Sequence, residues 1–180
     1  EIPILIVIAI LSMFGLLSIA FRSYFLPILI LSALPFGFGG AVVGHIIFGK
    51  GLSMISYWGI GAACGVVVND NLVLVDSINR LRGSGKHILE CIVESGVTRF
   101  RPIIITSITT FVGLMPMMLE PSVQANFLKP AVISLSFGVV LSSSVTLILV
   151  PCLYLIGDDV KESIAQFKAS IKSQISNKST

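Results

Sequence analysis

The chain has 180 residues, of which 54% are hydrophobic and 12% charged, with a mean hydropathy of +0.98. Soluble domains carry about a quarter charged residues, so the composition excludes a soluble domain and points to an integral membrane protein. A net charge of +3 is too small for a nucleic-acid binder, and Cys64, Cys91 and Cys152 share no metal-ligand spacing and define no redox compartment.

The missing charges leave long apolar windows. Residues 2–21 and 102–119 contain no ionisable side chain, and runs of that length cross a hydrocarbon core of about 30 Å as helices. An all-α membrane protein with five transmembrane helices is expected, its bundle covering residues 1–157. The first span runs over about 2–21 and stops at Arg22-Ser23. No basic leader or small-residue cleavage site marks it as a signal peptide, and a chain that opens on Glu1 rather than Met is expected to be cut from a longer protein. The second span covers about 26–48, with Pro35 expected to kink it. The third covers about 55–78. The fourth covers about 102–119, with Pro102 suited to a first helical turn, and the fifth about 128–156.

Five spans divide the loops into two sets. One holds Arg22, Arg80, Arg82, Lys86, Arg99, Arg101, Lys161, Lys168, Lys172 and Lys178; the other holds Lys50 and Lys129. Basic residues favour the cytoplasmic side, which puts residue 1 outside and residue 180 inside. Two further segments read as short amphipathic cytoplasmic helices. Between 84 and 99, Ile88, Leu89, Ile92 and Val93 share a face. The basic tail, 158–180, sets Val160, Ile164, Phe167, Ile171 and Ile175 opposite Lys168 and Lys172, a pattern suited to the lipid surface or to a partly ordered tail. Small residues recur at spacings of four: Gly40 and Gly44; Gly61, Gly65 and Asn69; Ser134, Gly138 and Ser142. In lipid such seams let helix backbones approach closely.

The candidate chemistry centres on Asn69-Asp70-Asn71, set inside the apolar stretch 60–75. An Asp at a helix centre costs roughly 3 kcal/mol even on the milder insertion scales. Asp70 has no cation on its own span, which leaves two readings open: proton or ion coupling, and a hydrogen bond that glues helices together. Asp76 lies one turn before Arg80 and reads as its ion-pair partner at the interface. Thr106, Ser107, Thr109 and Thr110 could bond back to their own helix or, facing Asn69 and Asp70, donate and accept as a relay requires. Arg99 reads as a headgroup anchor or as the mouth of a cytoplasmic proton exit. His45, near the outer end of its span, reads as a polar contact or a relay group.

The string from Gly65 through Asn69-Asp70-Asn71 to Asp76, followed by Arg80, Arg82, Arg99-Phe-Arg-Pro-Ile-Ile-Ile-Thr-Ser107 and Gly113-Leu-Met-Pro116, resembles the resistance–nodulation–cell division (RND) efflux transporters of the AcrB/AcrD/AcrF type. The resemblance covers nearly the whole chain and implies the eighth to twelfth of twelve spans. It implies a proton-motive-force-driven multidrug or small-molecule exporter in the bacterial inner membrane, working as a homotrimer with a periplasmic adaptor and an outer-membrane channel. The acidic pair of such pumps would lie in the N-terminal half, outside this chain, and by pseudo-symmetry matches Asn69 and Asp70. Thr106 and Arg99 match positions that the family links to proton relay, so the implied relay is Asp70, Asn69, Asn71, Thr106 and Arg99. Family members of the AcrB type present a Lys at the position of Asn69; this chain does not.

No enzyme chemistry, metal or cofactor is expected. An intramembrane aspartyl protease needs two carboxylates from different spans, and Asp70 and Asp76 share one. The alternatives are a non-transporting helix-packing module of a membrane complex and a subunit like the accessory pair of the protein-export machinery (SecD/SecF-like).

Overall fold

A computed structural model describes residues 2–178; the side chains of Ile2, Pro3, Leu5 and residues 161–178 lie outside the description, as do residues 1, 179 and 180. The fold is all-α, with no strand among the described residues. Six helices follow one another: α1 (Ile2–Phe21), α2 (Phe25–Leu31), α3 (Leu34–Ile47), α4 (Met54–Gly83), α5 (Ile88–Leu119) and α6 (Val123–Lys178). Among the described residues, four stretches are long and apolar enough to cross a membrane, namely Phe25–Ile47, Met54–Gly83, Ile88–Leu119 and Val123–Val160. The apolar α1, at 20 residues, is about 30 Å long.

Local chemistry explains the breaks. Pro35 has no N–H for the carbonyl four residues back and crowds it, so the second apolar stretch divides into α2 and α3 at Ser32-Ala33. Ser53 starts α4 with a reciprocal cap: its Oγ accepts from Ser56 N, and Ser56 Oγ accepts from Ser53 N at 3.0 Å. His45 fastens α3 to that cap. Its Nδ1 donates to Ala41 O at 2.9 Å, and its Nε2 lies 2.9 Å from Ser56 Oγ. The ring is buried and held by polar contacts on both nitrogens.

Residue pairs along α4 and α6 establish their direction. A Cβ on Gly59 would lie 2.8 Å from Ala131 Cα, and one on Gly138 would lie 3.0 Å from Ala63 Cβ. Farther along, Tyr154 Oη donates to Asn79 Oδ1 at 2.5 Å, and Arg82 Nη1 pairs with Asp158 Oδ1 at 2.5 Å. Both partners ascend together, so α4 and α6 run parallel. α3 crosses α6 in the opposite sense. A Cβ on Gly40 would meet Leu141 Cβ at 2.9 Å and Gly138 Cα at 3.0 Å, and one on Gly44 would meet the Phe137 ring at 2.7 Å. α5 is also antiparallel to α6, with Phe111 edge-on to Phe137 at 5.3 Å and Met118 clustered with Val132 and Ile133. α6 is therefore the mast against which α3, α4 and α5 pack. The larger core lies toward the basic end, where Leu74, Val75, Ile78, Cys91, Ile92, Val150 and Tyr154 cluster.

Three sequence expectations change. The helix expected over 84–99 and the span expected over 102–119 are one helix, α5, which runs through Pro102 without a break. Prolines are tolerated inside membrane helices where neighbouring groups serve the freed backbone. The shared face of Ile88, Leu89, Ile92 and Val93 is also split. Cys91 and Ile92 turn into the core, whereas Leu89 and Val93 stay open, because the ends of α4 and α6 cover only one side of this turn. Finally, residue 158 starts no separate tail. α6 continues to Lys178, and Asp158 is 7% exposed against Arg82. The tail side chains Ile164, Phe167, Ile171 and Ile175 fall outside the described residues. At the basic end, Asp76 pairs with Arg80 at 3.1 Å and Lys86 with Glu94 at 2.5 Å. Hydrogen bonding to Glu94 holds the Lys86 ammonium above its ordinary pKa, but pairs this open to solvent carry little stability.

The glycine seams make different contributions. Gly40 and Gly44 meet α6, but nothing lies within 4 Å of a Cβ on Gly61 or Gly65; the close approach of α4 is at Gly59. Gly59→Leu should therefore lower the melting temperature of the detergent-solubilised full-length protein sharply, whereas Gly61→Leu leaves this bundle intact. Arg82→Gln strands the buried Asp158 carboxylate and should cost about 1–3 kcal/mol, read in the same melt.

Candidate functional site

α4 has 30 residues, a length of about 45 Å, and Asn69-Asp70-Asn71 stands close to its midpoint. Helical geometry sends the three side chains to three different places. Asp70 follows Ala63 by two turns and Gly59 by three, so it projects on the side of α4 that meets α6. It is half-buried, and its Oδ2 is buried without a hydrogen-bond partner among the described residues. Asn71 is 1% exposed and turns the other way, donating from Nδ2 to Ile30 O at 3.4 Å. That carbonyl belongs to the last turn of α2, beside the break before Pro35. Asn69 is exposed, on the outward side with Gly61 and Gly65.

The neighbouring helices bring hydroxyls to the same depth. Between the Ala63–Gly138 and Asn79–Tyr154 levels, the parallel register sets Asp70 across from residues 142–146 of α6. Ser142, Ser143 and Thr146 are all buried there. Ser142 Oγ donates to Gly138 O at 2.5 Å and Thr146 Oγ1 to Ser143 O at 3.2 Å, whereas Ser143 Oγ is buried and unpartnered. On α5, the antiparallel register from Phe111–Phe137 brings Thr106 and Ser107 to this level. Ser107 is buried and donates to Ile103 O at 3.0 Å; Thr106 is exposed and donates to Pro102 O at 2.9 Å. Thr109 likewise donates to Ile105 O at 2.7 Å. Arg99, seven residues before Thr106 and so on the same face of α5, is half-buried with its Nε buried and unpartnered.

Four of the sequence candidates thus lie near one level of the bundle, with Arg99 two turns from Thr106, and they form no connected chain. No hydrogen bond or ion pair among the described residues joins Asp70 to Asn69, Thr106 or Arg99. Asn69 and Thr106 are exposed, Arg99 is half-buried, and Asp70 projects on the side of α4 that meets α6. The inherited sequence pattern missed Ser143, whose only signal was its place beside the 134/138/142 spacing, and it missed the Arg82–Asp158 pair, because nothing local announces that two residues 76 positions apart will meet. Among the described residues no three His, Cys, Asp or Glu side chains converge to hold a metal.

A bundle of apolar helices with a carboxylate, amides and hydroxyls at mid-span defines a multi-pass membrane protein with a polar layer inside the hydrocarbon zone. The chain belongs to the AcrB/AcrD/AcrF family, whose model matches residues 1–158, and is thereby a segment of an RND transporter of the AcrB type. It is 32% identical over 160 residues to the multidrug resistance protein MdtC of Proteus mirabilis (strain HI4320), covering 88% of this chain and 16% of that protein. Two crystal forms of a heavy metal efflux pump superpose on it. One has a TM-score of 0.76 at 26% identity, covering 86% of this chain and 16% of that one; the other has a TM-score of 0.71 at 28% identity, covering 84% and 15%. The chain therefore spans about a sixth of the length of the relatives it matches.

Asn71 holds two helices together across lipid-embedded backbone. Asn71→Leu should destabilise the protein by about 0.6–1.7 kcal/mol, the range for interhelical hydrogen bonds in membranes, as measured by thermal or denaturant unfolding in detergent.

Proposed function

We propose that the chain is part of the membrane portion, spans eight to twelve, of a proton-motive-force-driven exporter of small molecules in the bacterial inner membrane, acting with the rest of the same transporter as a homotrimer. A periplasmic adaptor and an outer-membrane channel are its proposed partners, and its work is transport rather than enzyme catalysis. Family membership supports the reading, as do the printed names of the relatives, a multidrug resistance protein and a heavy metal efflux pump. The observation that carries it is Asp70, whose carboxylate oxygen is buried at mid-span without a partner in a seam between two parallel helices.

An ionised carboxylate at that depth needs hydrogen-bond donors or a cation; a protonated one needs only an acceptor. Protonation from the outer side therefore changes which neighbours Asp70 holds, and Ser143 stands at its level with a free hydroxyl. Because Asp70 sits in the α4/α6 seam, each change of protonation alters the packing of that seam. Asn69 and Thr106 are exposed, where the remaining spans of the transporter would supply the acidic partners. With Asn at position 69, the fixed cation must come from elsewhere, and α5 offers Arg99, half-buried, and Arg101, exposed. Moving one charge through 100 mV yields about 2.3 kcal/mol, which shifts a two-state equilibrium about fiftyfold at 1.4 kcal/mol per decade.

A second reading, a helix-packing module, draws on one specific observation: the α5 hydroxyls Thr106, Ser107 and Thr109 all bond back to their own helix. One experiment separates the two. In the full-length protein reconstituted in vesicles, Asp70→Asn should cut proton-linked export by at least about tenfold while leaving insertion and melting temperature unchanged, and Thr106→Ala should reduce it less. Undiminished export by Asp70→Asn would establish the packing role.

A further inference from the structure

The elbow between α1 and α2 carries a feature that transport does not use. A cavity of about 520 Å³ opens there, lined by Phe14, Gly15, Ser18, Arg22, Ser23 and Tyr24, with Ile19 at its edge. Gly15, Ser18, Ile19 and Arg22 follow a spacing of three, four and seven, which places them on one face of α1. Nothing lies within 4 Å of a Cβ on Gly15, so the wall is open at that point. Ser18 Oγ is buried with no hydrogen-bond partner. Arg22 is exposed, makes no ion pair among the described residues, and has a φ of 50°. That left-handed conformation is unfavourable for a long side chain. Tyr24 beside it is 78% exposed. A free guanidinium, three hydroxyls, an apolar floor and a strained backbone thus converge on one pocket.

Position selects the occupant. The basic residues put this elbow at the cytoplasmic interface, where Tyr and Arg side chains sit at headgroup depth and where the leaflet carries anionic lipid. The guanidinium matches a phosphate by paired N–H donors, the hydroxyls of Ser18, Ser23 and Tyr24 add further donors, and Phe14 and Ile19 supply apolar lining. We propose that this elbow binds the phosphate headgroup of an anionic phospholipid of the inner leaflet, with Arg22 as the charged contact and Phe14, Gly15 and Ile19 receiving the start of an acyl chain. The bound lipid would tie the end of α1 to α2, since α1 has few other neighbours in the bundle.

The test uses the full-length transporter in nanodiscs containing phosphatidylglycerol in phosphatidylcholine. Spin-labelled phosphatidylglycerol should show an immobilised fraction, and native mass spectrometry should show retained phosphatidylglycerol after delipidation. Arg22→Gln should weaken retention about fivefold, in line with the contribution of one basic side chain near an anionic surface; Arg22→Lys should keep most of it. Gly15→Leu should cause the same loss by filling the wall without touching charge. Inorganic phosphate at millimolar concentration should not displace the lipid. Equal retention by wild type, Arg22→Gln and Gly15→Leu would overturn the site, as it would if the rest of the transporter covers this elbow. Displacement by phosphate alone would also overturn it, in favour of a free-anion site.

Discussion

The parallel contact of α4 with α6 organises this molecule. Lipid gives apolar helices little reason to prefer one another over acyl chains, so close association depends on small residues that admit backbone-to-backbone contact. Gly59 against Ala131 and Gly138 against Ala63 supply that contact toward the outer end, and the Arg82–Asp158 and Tyr154–Asn79 pairs close the seam at the basic end. Between those two fastenings lies Asp70. Its depth, its orientation toward α6 and its half-burial all follow from where the helices are pinned above and below it. α3 and α5 then pack antiparallel to α6 on either side, and His45 and Asn71 tie the broken second stretch into the assembly.

Polar groups inside this bundle fall into two kinds. Most are satisfied within a turn of their own helix. Ser107, Thr109, Ser142, Ser144 and Thr146 all donate to carbonyls three or four residues back, as membrane helices commonly arrange. A few are not. Asp70 Oδ2, Arg99 Nε and Ser143 Oγ are buried without partners, and a buried group in that state is costly unless another partner is provided. The Ser18, Ser95, Ser134 and Ser136 hydroxyls are in the same state along α1, α5 and α6, and Asp70 is the one carboxylate among them. Gly61, Gly65, Asn69 and Thr106 are all exposed among the described residues, and the relatives are about six times longer than this segment.

Much of this was legible in the amino acids themselves. Apolar window length dictates helices, because lipid leaves the backbone no other way to satisfy its own N–H and C=O groups. Pro35 dictates the break in the second stretch. Asp70 stood out for the same reason: a carboxylate in a run of valines and leucines has no neighbour in the sequence to pay its desolvation. Where a helix ends was harder to read. Pro102 looked like a start and proved to be an interior residue, since a membrane helix can run through a proline when the surroundings serve the freed backbone.

Sequence alone determined the class of protein, the helical content and the presence of one misplaced acid, all of which depend on single residues meeting lipid or water. Tertiary structure decided which face each of those residues presents and what it meets. Gly59 rather than Gly61 makes the close approach, Asn71 caps α2 while Asp70 enters the α6 seam, and Asp158 buries itself against Arg82 instead of starting a tail. The reason is geometric: helical spacing assigns residues to a common face, but which face turns inward depends on the rotation of each helix about its axis, and that is set by contacts between residues far apart in the chain.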